Sequence, residues 1–172
     1  MRVVGLDYST TSTGIAIFAD GGWETLTLTS KPTGDTLGDY YDRIIDLAYG
    51  IDNAIGQADV IGIEKIAFAA KGQRVDRLHY AWHRTVEHLT TIYGDVLEVT
   101  AQQVKQLATG KGNAGKDEVL LATDRRIPSA GVAGNDEADA VWVAVGASIL
   151  AGRPVIDLPT AHMPKAWKGK GA

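Results

Sequence analysis

The sequence predicts an α/β fold, a mixed five-stranded sheet flanked by helices, and three observations carry that expectation. The first thirty residues hold three strand patterns in succession; a continuous apolar run at residues 58–64 lies between two long segments of helical period; and the inferred element order is βββαβαβααα. Strands separated by helices in this way require parallel neighbours joined by crossovers.

The opening Arg2-Val3-Val4-Gly5-Leu6-Asp7 reads as a short buried strand, and residues 13–20 as a second one after a polar Ser/Thr turn. Asp20-Gly21-Gly22 signals a hairpin into a third strand, residues 23–29, which alternates with β-branched side chains. Leu37, Tyr41, Ile44, Ala48, Ile51 and Ile55 recur at helical spacing, so residues 36–56 form an amphipathic helix that Gly56 ends. The apolar run 58–64 closes on a carboxylate and has the pattern of a central parallel strand. A second long helix, residues 74–93, is rich in aromatics and histidines and stops at Gly94. Then come a strand at 96–99, a helix at 102–109, a glycine-rich loop at 110–115, a helix at 116–125 and a very apolar helix at 135–150. Pro154, Pro159, Pro164 and the Gly-Lys ending predict residues 152–172 to be a loose, flexible basic tail, leaving 1–151 as the folded domain.

A length of 172 residues fits one domain with a real core, and 45% hydrophobic with 22% charged residues is ordinary globular composition. Cys 0 excludes disulfides, thiolate metal sites and a cysteine nucleophile. No apolar run approaches the roughly 18 residues of a membrane span, and Asp7 interrupts the first apolar stretch, so the expected location is cytoplasmic. The formal charge of -4 gives no global attraction to nucleic acid, and any phosphate partner must meet local basic patches.

Asp7 and Glu64 each end an apolar strand that a central sheet would bury, so neighbouring strands would bring both carboxylates to one edge. Asp136 and Asp139, three apart at a helix start, share one face, with Glu137 turned elsewhere. Taken singly each acid is an ordinary strand end or helix cap; together they repel as they are desolvated, unless a cation sits among them. All-oxygen ligation suits Mg²⁺ or Mn²⁺, and a pair of such ions about 4 Å apart can serve phosphodiester cleavage.

Gly110 to Lys116 matches the first seven positions of a phosphate-binding loop, G-x-x-x-x-G-K, but Asp117 stands where a hydroxyl should follow and the preceding residues look helical. It is better read as a basic loop in which Lys105, Lys111 and Lys116 meet phosphates. A second basic patch follows Glu64: Lys65, Lys71, Arg74, Arg77 and Arg84, with Phe68 as a base-stacking candidate beside Tyr80 and Trp82, whose spacing is that of core or subunit contacts. His79, His83 and His88 lack a metalloprotease pattern and read as structural or interfacial; Lys165, Lys168 and Lys170 offer a third, weaker patch.

These residues carry a resemblance. Gly5-Leu6-Asp7, Gly62-Ile63-Glu64, Gln103-Val104-Lys105-Gln106, the Gly110 to Lys116 loop and Asp136-Glu137-Ala138-Asp139-Ala140 resemble, in order over residues 1 to 150, the RuvC family of Holliday junction resolvases, with some likeness to phage-borne members. The resemblance implies an RNase H-like fold, a homodimer acting on branched DNA, and two divalent ions per site, Mg²⁺ with Mn²⁺ as a substitute. It implies metal ligation by Asp7, Glu64, Asp136 and Asp139, with Asp7 bridging the ions and Glu137 the neighbouring alternative to Asp136. Lys105 and Lys116 would contact phosphate, Lys116 within the catalytic set, and Lys111, Phe68, Lys71, Arg74 and Arg77 complete the expected DNA contacts. Bacterial members place a junction-contacting Phe three residues after the Glu, where this chain has Ala67 with Phe68 one step on. The expected activity is metal-dependent resolution of four-way junctions by paired nicks, in a bacterial or phage-infected cell. Competing readings are a broader fork and flap nuclease, a non-catalytic junction-binding module, and an actin-like ATPase, for whose two lobes 172 residues leave no room.

Overall fold

The computed structural model describes residues 1–66 and 75–167. Strands β1 (Arg2–Asp7), β2 (Ser12–Ala19) and β3 (Gly22–Thr29) form an antiparallel meander, and β4 (Val60–Lys65) and β5 (Val96–Thr100) add to it in parallel, giving the order β3-β2-β1-β4-β5. The switch from antiparallel to parallel pairing falls at β1, which pairs Asp7 with Gly14 of β2 and Leu6 with Ile63 of β4. The turn between β2 and β3 is built on Asp20 and Gly21, both at positive φ, as a tight right-twisted hairpin requires.

Helices cover both faces. On one, α1 (Leu37–Ile55) and α2 (Val75–Tyr93) bury Ile44, Ile51, Ile55, Trp82 and Leu89 against Val4, Leu6, Ile15 and Ile61. Thr36 starts α1 with a reciprocal cap: its hydroxyl accepts from the Asp39 N–H, while the Asp39 carboxylate accepts from the Thr36 N–H. On the other face lie α3 (Ala101–Thr109), α4 (Lys116–Arg126) and α5 (Asn135–Leu150). α5 is buried nearly all round, from Ala140 to Ile149, because it is wedged between the sheet and the pair α3 and α4. This explains a sequence that is apolar without a polar stripe.

Two glycines permit that burial. A Cβ on Gly5 would stand 2.1 Å from the Ala140 carbonyl oxygen, and one on Gly14 would stand 2.1 Å from that of Asp136. α5 therefore lies directly on the backbone of β1 and β2, and the turn bearing Asp136 and Asp139 is held against the end of β1.

The strands and helices stand where the sequence places them, with ends shifted by one or two residues. The segment after α5 differs. Residues 152–167 are not a loose tail: Val155, Ile156, Leu158 and Met163 pack on the α3–α5 core, and His162 and Trp167 are buried. Prolines mark irregular backbone, and here five apolar side chains spaced among them dock that backbone as two short 3₁₀ turns, Thr160–His162 and Lys165–Trp167. Lys168 and Lys170 lie outside the described residues.

Candidate active site

Asp7 is the last residue of β1 and Glu64 stands near the end of the neighbouring parallel strand β4, so both carboxyls emerge at the same edge of the sheet. Asp136 and Asp139, in the first turns of α5, are laid onto this edge by the Gly14 contact. All four are half-buried. Burial is the largest cause that pushes the Asp7 carboxyl up to about 8, and the charges of Glu64, Asp139 and Asp136 add to it against the pull of Lys116. Glu64 is raised to about 7 by burial and by Asp139, with Lys116 and Lys105 opposing. Asp139 is raised to about 6 by burial, with Lys116 and Lys105 opposing and Asp136 adding.

Six charged groups from five elements thus share one field. Lys105 reaches it from the middle of α3, whose start is fixed by Thr100 and Gln103 bonding each other's N–H groups. Lys116 reaches it from the first residue of α4, where the Glu118 carboxylate accepts from the Gly115 N–H at 2.7 Å. Asp136 is oriented by Ser12, whose hydroxyl donates to Oδ2 at 2.7 Å. The Ser/Thr-rich turn contained that residue, but its role needs α5 laid across β2, which no local pattern announces.

Glu137 separates cleanly from the group. It is buried and faces β3, accepting from Thr27 Oγ1 at 3.0 Å, from Thr25 Oγ1 at 3.4 Å and from the Ala133 N–H at 2.6 Å. Its oxygens are taken up in tethering α5 to β3, which leaves Asp136 as the acid on the shared face.

Among the described residues, the remaining candidates do not converge here. Lys111 is exposed on the loop between α3 and α4. Arg77, in the first turns of α2, lies with its guanidinium carbon 5.1 Å from the Tyr40 ring centroid, on α1. Phe68, Lys71 and Arg74 lie outside the described residues. Among the histidines, His88 meets Asp52 of α1 at 3.3 Å and His83 packs edge-on against Trp82, which are structural contacts.

Three carboxyls that hold protons to near neutrality form a poor home for three negative charges and a good one for a hard cation, and the donors are all oxygen. The residues present fit a divalent ion by that chemistry. Among the described residues no three acid or histidine side chains close tightly enough on one point to hold a metal as they stand: the acids share a field without forming a coordination sphere. No helix among the described residues is long and apolar enough to cross a membrane.

Residues 3–147 match the family model described as crossover junction endodeoxyribonuclease RuvC. Proteins of that description from Paracidovorax citrulli and Delftia acidovorans are 30% and 29% identical to the chain over 150 residues, covering 84% of it and 82% of each relative. The Thermus thermophilus RuvC structure superposes with a TM-score of 0.66 at 18% identity, covering 90% of this chain and 98% of that one. T. thermophilus RuvC in complex with Holliday junction substrate superposes at 0.63 and 20% identity, covering 84% and 90%. These two likenesses establish the RNase H-like sheet and its helices.

Proposed function

The chain belongs to the RuvC family of crossover junction endodeoxyribonucleases, and on that premise we propose that it resolves four-way DNA junctions by paired, symmetric, metal-dependent nicks. The observation that carries the reading is the meeting of Asp7, Glu64, Asp136 and Asp139 with Lys105 and Lys116 in one field at the edge of the sheet. We assign the four carboxylates as ligands for two Mg²⁺ ions, which Mn²⁺ can replace. Ions held by these carboxylates would supply Lewis-acid polarisation of the scissile phosphate and a lower pKa for the attacking water.

The chain's own residues do the rest. Lys105 and Lys116 favour the ionised form of Glu64 and Asp139, and Lys116 that of Asp7, while both present positive charge to a phosphate. Ser12 fixes one oxygen of Asp136, and Glu137 holds the first turn of α5 in place. Water enters in line with the leaving 3′ oxygen, giving 5′-phosphate and 3′-hydroxyl ends. Residues 1–151 carry this machinery. Two opposed strands must be cut, and a two-fold pair of identical sites supplies both cuts, so the working form is a homodimer.

The test is Asp7→Asn, assayed on a labelled four-way junction with Mg²⁺. Cleavage should fall by at least about a hundredfold while junction binding persists; undiminished cleavage would overturn the assignment.

A further inference from the structure

Outside the carboxylate site, α3 and α4 enclose a groove of about 390 Å³ whose lining includes Thr109, Lys111, Glu118, Leu121, Arg125 and Arg126. Its three cations, Lys111, Arg125 and Arg126, outnumber its one carboxylate. Among the described residues no carboxylate pairs with Lys111, Arg125 or Arg126. Glu118, the acid on the groove, turns an oxygen to the Gly115 N–H.

Arg126 is moreover held in place by a neutral partner. Buried His162 has Nδ1 2.7 Å from the Leu107 carbonyl oxygen and Nε2 3.0 Å from Arg126 Nη2. A carbonyl can only accept and a guanidinium can only donate, so Nδ1 carries the proton and Nε2 accepts. The imidazole therefore orients the guanidinium without cancelling its charge, and leaves its other N–H donors for a ligand. Cations in the last turn of α4 also complement that helix's dipole, but a helix end carries about half a charge, against two full ones here.

Lys116, which acts on the acids, and Arg125 are the same helix's first and tenth residues, two and a half turns apart, so the groove lies on the side of α4 opposite to the carboxylate site. We propose that the groove between α3 and α4 seats the sugar-phosphate backbone of one duplex arm of the junction, outside the carboxylate site. This rests on the junction-nuclease reading and adds the path an arm takes away from the cut. Arg125, Arg126 and Lys111 bind phosphates there, with Arg126 preset by His162.

The experiment uses exposed Arg125, whose replacement leaves the core intact. Binding of the full chain to a four-way junction is measured in chelator across a salt series, for the wild type, Arg125→Ala and Arg125→Lys. Each is also measured on junctions carrying neutral methylphosphonates at successive positions along each arm. Arg125→Ala should lower the slope of log K against log salt by about 0.9, the value for one phosphate contact, and Arg125→Lys should restore it. At one of these positions the methylphosphonate should weaken the wild type and leave Arg125→Ala little changed, because the two alterations remove the same contact. Equal slopes, or equal methylphosphonate penalties in both proteins, would overturn the groove assignment. A wild type with no preference for the junction over matched duplex would instead overturn the reading on which the proposal rests.

Discussion

Asp7 shows how single residues set the properties of this site. Its carboxyl is pushed up to about 8, Glu64 to about 7 and Asp139 to about 6, each from an ordinary value of 3.8 to 4.5. Between about pH 4 and pH 8 the folded chain therefore binds more protons than the unfolded one, and stability falls as pH rises through that window. In chelator, the melting temperature should drop from pH 5 to pH 8, and Asp7→Asn should melt higher than wild type at pH 8. Added Mg²⁺, which prefers the ionised acids, should raise the melting temperature more at pH 8 than at pH 5; the opposite trend would contradict the clustering. These acids were legible in the sequence because each interrupts an apolar strand or shares a helix face. The role of Glu137 was not, since its partners Thr25 and Thr27 are more than 100 positions away. Glu137→Ala strands the Ala133 N–H and the Thr27 hydroxyl and should cost about 1–3 kcal/mol of stability, read by denaturant titration.

At the scale of elements, the site depends on how closely α5 lies on β1 and β2. Gly14 meets the Asp136 carbonyl so tightly that an added methyl group would stand 2.1 Å from it. Gly14→Ala must push the first turn of α5 away, carrying Asp136 off the shared edge. A destabilisation of about 1–3 kcal/mol and a marked loss of cleavage are expected; a variant with native stability and rate would show that this contact does not position the site. The apolar sequence of α5 announced a buried helix, and the interrupted strands announced the sheet. The docking of residues 152–167 went unread because prolines dominate the local signal, while Val155, Ile156, Leu158, Met163 and Trp167 have no helical or strand period to reveal a common target. Only the packed core supplies that target.

For the whole molecule, a net charge of -4 coexists with a run of cations on α3, α4 and their connecting loop, of which Lys111, Arg125 and Arg126 form no salt bridge among the described residues. Binding to DNA should thus be local and steeply weakened by salt; a flat salt dependence would place the interface elsewhere. Paired cuts need two sites, so sedimentation at micromolar concentration should show a dimer, and a monomer would count against the two-fold arrangement. The most direct measurement is cleavage of a labelled four-way junction beside matched duplex, fork and flap substrates, with Mg²⁺ or chelator, both strands read at nucleotide resolution. Symmetric paired nicks confined to the junction and dependent on metal are the predicted result. Nicks in unbranched duplex at the same rate, or cutting that survives chelator, would contradict it.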